Sequence, residues 1–165
     1  MPVSADALRT HLDYTAWASR KLVAAASGLS PEELNHDFQT ADRSVLETLV
    51  HVFAADRLWL SRLAGGPHPG FVTDRDRSLA VLQNEWPAVL DGWKRWAAGL
   101  TDQDAGHEVV YTDMKGRRWS QPLWQLVLHV VNHGTHHRGQ VSGFLRALGH
   151  PPPVVDLVYY YRERG

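Results

Sequence analysis

Four long stretches of the chain repeat apolar residues at steps of three and four, and each is bounded by residues that stop a helix, which commits most of the sequence to amphipathic helices. In the first, from Ala5 to Ser27, one side carries Leu8, Leu12, Ala16, Ser19, Leu22, Val23 and Ala26, with Ser4 as cap and Gly28 as stop. Ser44 and Glu47 form a capping-box pattern ahead of the second, Val45 to Ala64, which Gly65 and Gly66 end. The third runs from Ser78 to Leu100 along Leu79, Leu82, Trp86, Val89, Leu90, Trp93, Ala97 and Leu100. Pro87 lies inside it and cannot bond back to Gln83, so a kink or a break is expected there. Ser120 and Pro122 mark the start of the fourth, and Gly149 with Pro151, Pro152 and Pro153 its end.

Between these stretches, Ser30, Pro31 and Glu33 predict a short helical turn. The alternation from Glu108 to Thr112, a turn at Lys115-Gly116 and the run Arg117 to Trp119 predict a small β-hairpin before the fourth helix. Tyr159, Tyr160 and Tyr161 make the tail aromatic enough to dock on the body. Each helix must hide its apolar stripe against the others, so the expected fold is all-α, a four-helix bundle. A length of 165 residues fits a single domain, 1–165, with a core that needs no disulfide staple.

The net charge of −1 lacks the basic footprint of a phosphate-binding surface, so nucleic acid is not expected as a partner. No apolar run reaches the ~18 residues of a membrane span. Met1 to Asp6 show no basic-then-apolar leader, and a cytoplasmic protein is the expectation. Zero cysteines exclude a disulfide framework, a thiolate metal site and a cysteine nucleophile.

The chemistry must come from the ten histidines. Four sit on the fourth helix: His129, His133, His136 and His137. With His129 at zero on a wheel of about 100° per residue, His133 lies near ~40°, His137 near ~80° and His136 near −20°, against an apolar stripe centred near ~100°. His133 and His137 are therefore the pair facing the core. Their i, i+4 spacing lets two imidazoles chelate one ion, although the same spacing also serves hydrogen-bonded core histidines. A third donor is expected from another helix. His51 shares a row with Ala55 and Leu58, beside Val52 and Trp59, at a depth that matches His137 if the second and fourth helices are antiparallel. His11 is its rival, read as solvated. His68 and His150, in loops rich in glycine and proline, are also read as solvated. Glu47 and Asp56 are candidate bases or orienting groups, with surface solvation the plainer reading. Arg138 reads as a surface cation, with anion binding as the sharper alternative. Three neutral histidines without cysteine describe a borderline divalent ion with positions left open.

Residues 128 to 140, Leu-His-Val-Val-Asn-His-Gly-Thr-His-His-Arg-Gly-Gln, taken with Leu-Val-His-Val-Phe-Ala-Ala-Asp-Arg-Leu-Trp-Leu at 49 to 60, closely resemble the DinB-like family of metal-binding four-helix bundles. The likeness extends over nearly the whole chain, Tyr14 and Trp17 included. It implies metal ligation by His51, His133 and His137, an up-down-down-up order of helices and a homodimer. It also implies a divalent metal ion, zinc or nickel first and iron or manganese next, and a thiol S-transferase activity in stress response or detoxification. There a low-molecular-weight thiol such as bacillithiol or mycothiol would meet an electrophilic small molecule. A metal-dependent hydrolase and a non-catalytic metal-binding stress protein are the alternative functions. Several relatives carry Glu directly after the first motif histidine, where this chain has Gly134. That position offers no general base, which excludes a His-Glu-x-x-His peptidase. His129 and His136 flank the site as candidate supporting donors.

Overall fold

The periodic stretches become helices whose ends follow their capping chemistry in a computed structural model that describes residues 3–164. Helix α1 spans Ala5–Ala26, and the Ser4 side chain accepts from the Ala7 N–H. Helix α2, Pro31–Leu34, is a single turn closed by a complete capping box between Ser30 and Glu33. Helix α3, Val45–Ala64, starts at Ser44, whose side chain accepts from the Glu47 N–H, and stops at Gly65, where φ is 73°. The expected box there is half made. The Glu47 carboxylate turns away to Arg77, and the Ser44 N–H donates to the Asp42 carbonyl.

A 3-10 turn at Asp74–Asp76 leads into α4, Leu79–Ala98, which runs unbroken through Pro87. Of the kink or break expected at Pro87, the break does not occur. Trp86, Leu90 and Trp93 are buried on either side of the proline, and Gln83, whose carbonyl lost its donor, is exposed to water. After the short α5, Asp102–Gly106, the strands β1, Glu108–Thr112, and β2, Arg118–Pro122, pair antiparallel with Val110 opposite Ser120. The second strand therefore reaches further than the sequence suggested, and Ser120 caps nothing: its hydroxyl donates to Glu108. Helix α6, Leu123–Ala147, begins after Pro122, and α7, Leu157–Arg164, closes the chain. Of the three tail tyrosines only Tyr160 docks, against Tyr14 and Trp17, while Tyr159 and Tyr161 stay exposed.

Each of the four long helices packs against its neighbours through two apolar clusters. One holds Leu22, Leu49, Phe53, Leu82, Trp86 and Leu145; the other holds Leu8, Trp59, Trp93, Leu126 and Val130. In every long helix the positions separating the two clusters include polar or small residues: Thr15 on α1, Asp56 on α3, Gly92 on α4, and Gly134, His137 and Arg138 on α6. A polar layer thus crosses the middle of the helices. Among the described residues no helix is long and apolar enough to cross a membrane.

Candidate metal centre

Helices α3 and α6 pass each other in opposite senses: the His51 ring lies 4.5 Å from that of His137, and the Trp59 ring 5.3 Å from that of His129. That crossing brings His51, His133 and His137 together, each offering one ligand nitrogen within 4.8 Å of the others. The Nε2 atoms of His51 and His133 are 3.0 Å apart. Two imidazole nitrogens on one ion at about 2.0–2.1 Å, with an angle between ~90° and ~109° at the metal, would be separated by about 2.8–3.4 Å. The observed spacing therefore fits a shared divalent ion, and the donor set of three imidazoles suits a borderline one.

Two of the remaining ring nitrogens face groups outside the triad. His137 Nδ1 faces Gln140 Oε1 at 2.7 Å and Asp42 Oδ2 at 3.1 Å, and the other oxygen of Asp42 lies 3.8 Å from His51 Nδ1. A carboxylate that accepts a hydrogen bond from Nδ1–H fixes the tautomer that leaves Nε2 free to ligate. Burial lowers the pKa of His51, against the opposing charge of Asp42 and with a smaller contribution from His137. The His133 pKa is pushed down to about 3, first by burial and then by neighbouring histidines. Neutral imidazoles are the form that binds metal.

Asp42 gave no periodic signal in the sequence because it lies on the connection between α2 and α3. That connection is tied down by Phe38, stacked on Phe144 at 4.2 Å, and by the Phe38 N–H donating to the Arg43 carbonyl. Gln39 and Arg43 adopt φ of 57° and 61°, left-handed conformations that non-glycine residues hold only when their surroundings impose them. Beneath this segment is a cavity of about 550 Å³, lined by Asp42, Arg43, Glu47, Val50, His51 and Arg77 among others. It reaches the triad through His51 and Asp42.

Other candidates resolve differently. His11 Nδ1 lies 2.8 Å from the Ala7 carbonyl on its own helix, outside the triad. His150 is not merely solvated, since its Nε2 lies 2.9 Å from a Glu33 carboxylate oxygen. His129 packs edge-on against Trp59 and next to His133, and burial lowers its pKa. His136 lies against the His137 ring. Glu47 is engaged by Arg77 Nε at 2.9 Å.

Asp56 and Arg138 are corrections: neither is a surface group, both being 1% exposed. Asp56 Oδ2 accepts from Trp86 Nε1 at 2.9 Å, and burial pushes its carboxyl pKa up to about 6. The Arg138 guanidinium donates to Thr135 and Ser19, lies over the Tyr14 ring, and leaves its Nε unpaired. Gly134 makes its place: a Cβ there would come within 2.6 Å of Arg138 Nη1. The residue that removes a base from the motif is the one that admits the arginine.

A model described as the DinB family matches residues 1–164. The chain belongs to the DinB family. Among curated proteins it is similar to Protein DinB of Bacillus subtilis (strain 168), 21% identical over 163 residues that cover 90% of each chain. Within this DinB-family chain, α6 carries two histidines of the triad, His133 and His137, next to the buried Arg138.

Proposed function

We propose that the protein is a divalent-metal-dependent enzyme of the thiol S-transferase type, acting on electrophilic small molecules, with His51, His133 and His137 as the metal ligands. The observation that carries this reading is the convergence of three imidazoles, one of which, His51, lines a 550 Å³ cavity, while Asp42 addresses Nδ1 atoms. Sites closed by four protein ligands are structural in character, whereas three histidines leave room for a reactant. A divalent ion, zinc or nickel first, would lower the pKa of a thiol or water reaching it and hold the nucleophile that results. Asp42 and Gln140 hold the His137 ring in the ligating tautomer.

The fold belongs to the same reading. One apolar cluster draws on the late parts of α1 and α6 and the early parts of α3 and α4, as an up-down-down-up four-helix bundle would require. A homodimer is part of the proposal, and sedimentation equilibrium at micromolar concentration checks it.

The test is turnover of an activated aryl chloride by protein purified without a histidine tag. Product formation should need both the metal and an added low-molecular-weight thiol. Undiminished turnover after chelation overturns the metal-dependent reading, and turnover without thiol transfers the site to hydrolysis.

A further inference from the structure

We infer that the cavity beside the triad selects small molecules carrying an anionic headgroup, a carboxylate or a phosphate, and that Arg43 anchors that group. The inference rests on the reading of the triad as a reactive metal centre and adds the class of molecule that reaches it. A volume of about 550 Å³ lies within the range of about 300–1,000 Å³ typical of small-molecule sites.

Five charged side chains line the cavity: Asp37, Asp42, Arg43, Glu47 and Arg77. Four are already matched. Asp37 Oδ1 accepts the Gln39 N–H at 2.7 Å, Asp42 faces His51 and His137, and Glu47 and Arg77 neutralise each other at 2.9 Å. Among the described residues, Arg43 alone in this lining has neither a hydrogen bond nor an ion pair from its side chain. The lining holds three carboxylates and two guanidiniums, but its one charged side chain without a partner is a cation, the exposed Arg43, and a guanidinium presents a donor fork that fits carboxylate and phosphate.

Its backbone is fixed although its side chain is free. The Arg43 N–H donates to the Thr40 carbonyl at 3.1 Å and its own carbonyl accepts from Phe38 at 2.8 Å, so the left-handed conformation at φ 61° is held from both sides. Non-glycine residues in such conformations cluster at ligand clamps. A molecule spanning the cavity would meet the triad at His51 and the guanidinium next to Asp42, which separates a reacting end from an anchored end.

The experiment compares 4-mercaptobutyrate with its uncharged analogue 4-mercaptobutanol on cobalt-loaded protein, reading half-saturation of the thiolate charge-transfer absorption. In wild type the carboxylate should bind about 10-fold more tightly. In Arg43→Gln the two should become equal, and Arg43→Lys should keep part of the preference. No preference in wild type, or a preference that survives Arg43→Gln through direct chelation of cobalt, overturns the inference. Metal-free protein supplies an independent arm, in which glutarate and inorganic phosphate are titrated while the Arg43 Nε resonance is followed by NMR. A saturable shift with either supports the anchor and tells carboxylate from phosphate; no shift with both overturns it. If neither thiol gives the absorption while the resonance shifts, the thiol reading fails and the anionic anchor stands.

Discussion

His137 and Arg138 are consecutive, both buried, and lie about 100° apart around α6, yet they belong to environments of opposite kind. His137 turns toward α3 and the cavity, where its partners hold only one ring nitrogen. Arg138 turns toward α1 and is enclosed by Tyr14, Ser19 and Thr135, with the charge of Asp56 acting on it. A helix that packs on two neighbours buries a wide arc, and that arc holds a layer that could receive a ligand beside one that ties helices together. The difference teaches that buried polarity by itself does not mark a site; donor atoms that converge on one point do.

Breaking the layer that ties the helices should have the largest effect on folding. Asp56→Ala orphans the buried Trp86 N–H and removes the carboxylate that acts on Arg138, for an expected loss of about 3–5 kcal/mol in urea unfolding of the metal-free protein. Metal affinity of the folded variant should stay within about threefold, since removal of interactions at a distance adds independently. A loss below about 1 kcal/mol would erase the distinction.

The same carboxyl supplies a pH signature. Its folded pKa is raised from 3.8 to about 6, so its contribution is full below pH 3.8 and is lost as pH rises through 6. Asp56→Asn keeps an acceptor for Trp86 without the titration. Relative to that variant, wild type should lose about 2 kcal/mol of stability between pH 4 and pH 7, read from urea midpoints. The lowered histidine pKa values act with the opposite sign in both proteins and cancel in the difference.

On the open side, His137→Ala should weaken metal binding more than ~100-fold, beyond what loss of an outer partner costs, while the metal-free protein unfolds closer to wild type than Asp56→Ala does. Isothermal titration and urea unfolding check the two halves. Equal metal affinity in wild type and variant would remove His137 from the triad.

How far the sequence displayed this contrast depends on periodicity. The helices and the meeting of three histidine rings were legible because α3 and α6 repeat at helical spacing, so a wheel and a depth along the axis locate His51, His133 and His137. Asp56 and Arg138 were misread as surface groups because charge is ordinarily solvated. The signals against that were Asp56 inside the row Val52, Ala55 and Trp59, and a glycine four residues before Arg138. The unbroken helix at Pro87 and the strand position of Ser120 depend on tertiary packing and cross-strand pairing, which local capping rules do not contain. Asp42 was illegible for a further reason: its place follows from a Phe38–Phe144 stack and two left-handed residues, none of which has a period.

Asp42 also gives the smallest and most discriminating change. Asp42→Asn retains an oxygen that can accept from one Nδ1–H but removes the charge and one of two acceptors, while Gln140 continues to hold His137. The expected weakening is therefore about 10-fold, the low end for an outer partner, measured by chelator competition. Asp42→Ala should cost more than Asp42→Asn if the hydrogen bond to Nδ1 matters, and the same if only charge does. Neither should move the urea midpoint of metal-free protein as Asp56→Ala does, because Asp42 is partly exposed and water can replace it. A carboxylate beside the converging donors then tunes what binds, and one in the buried layer holds the helices together.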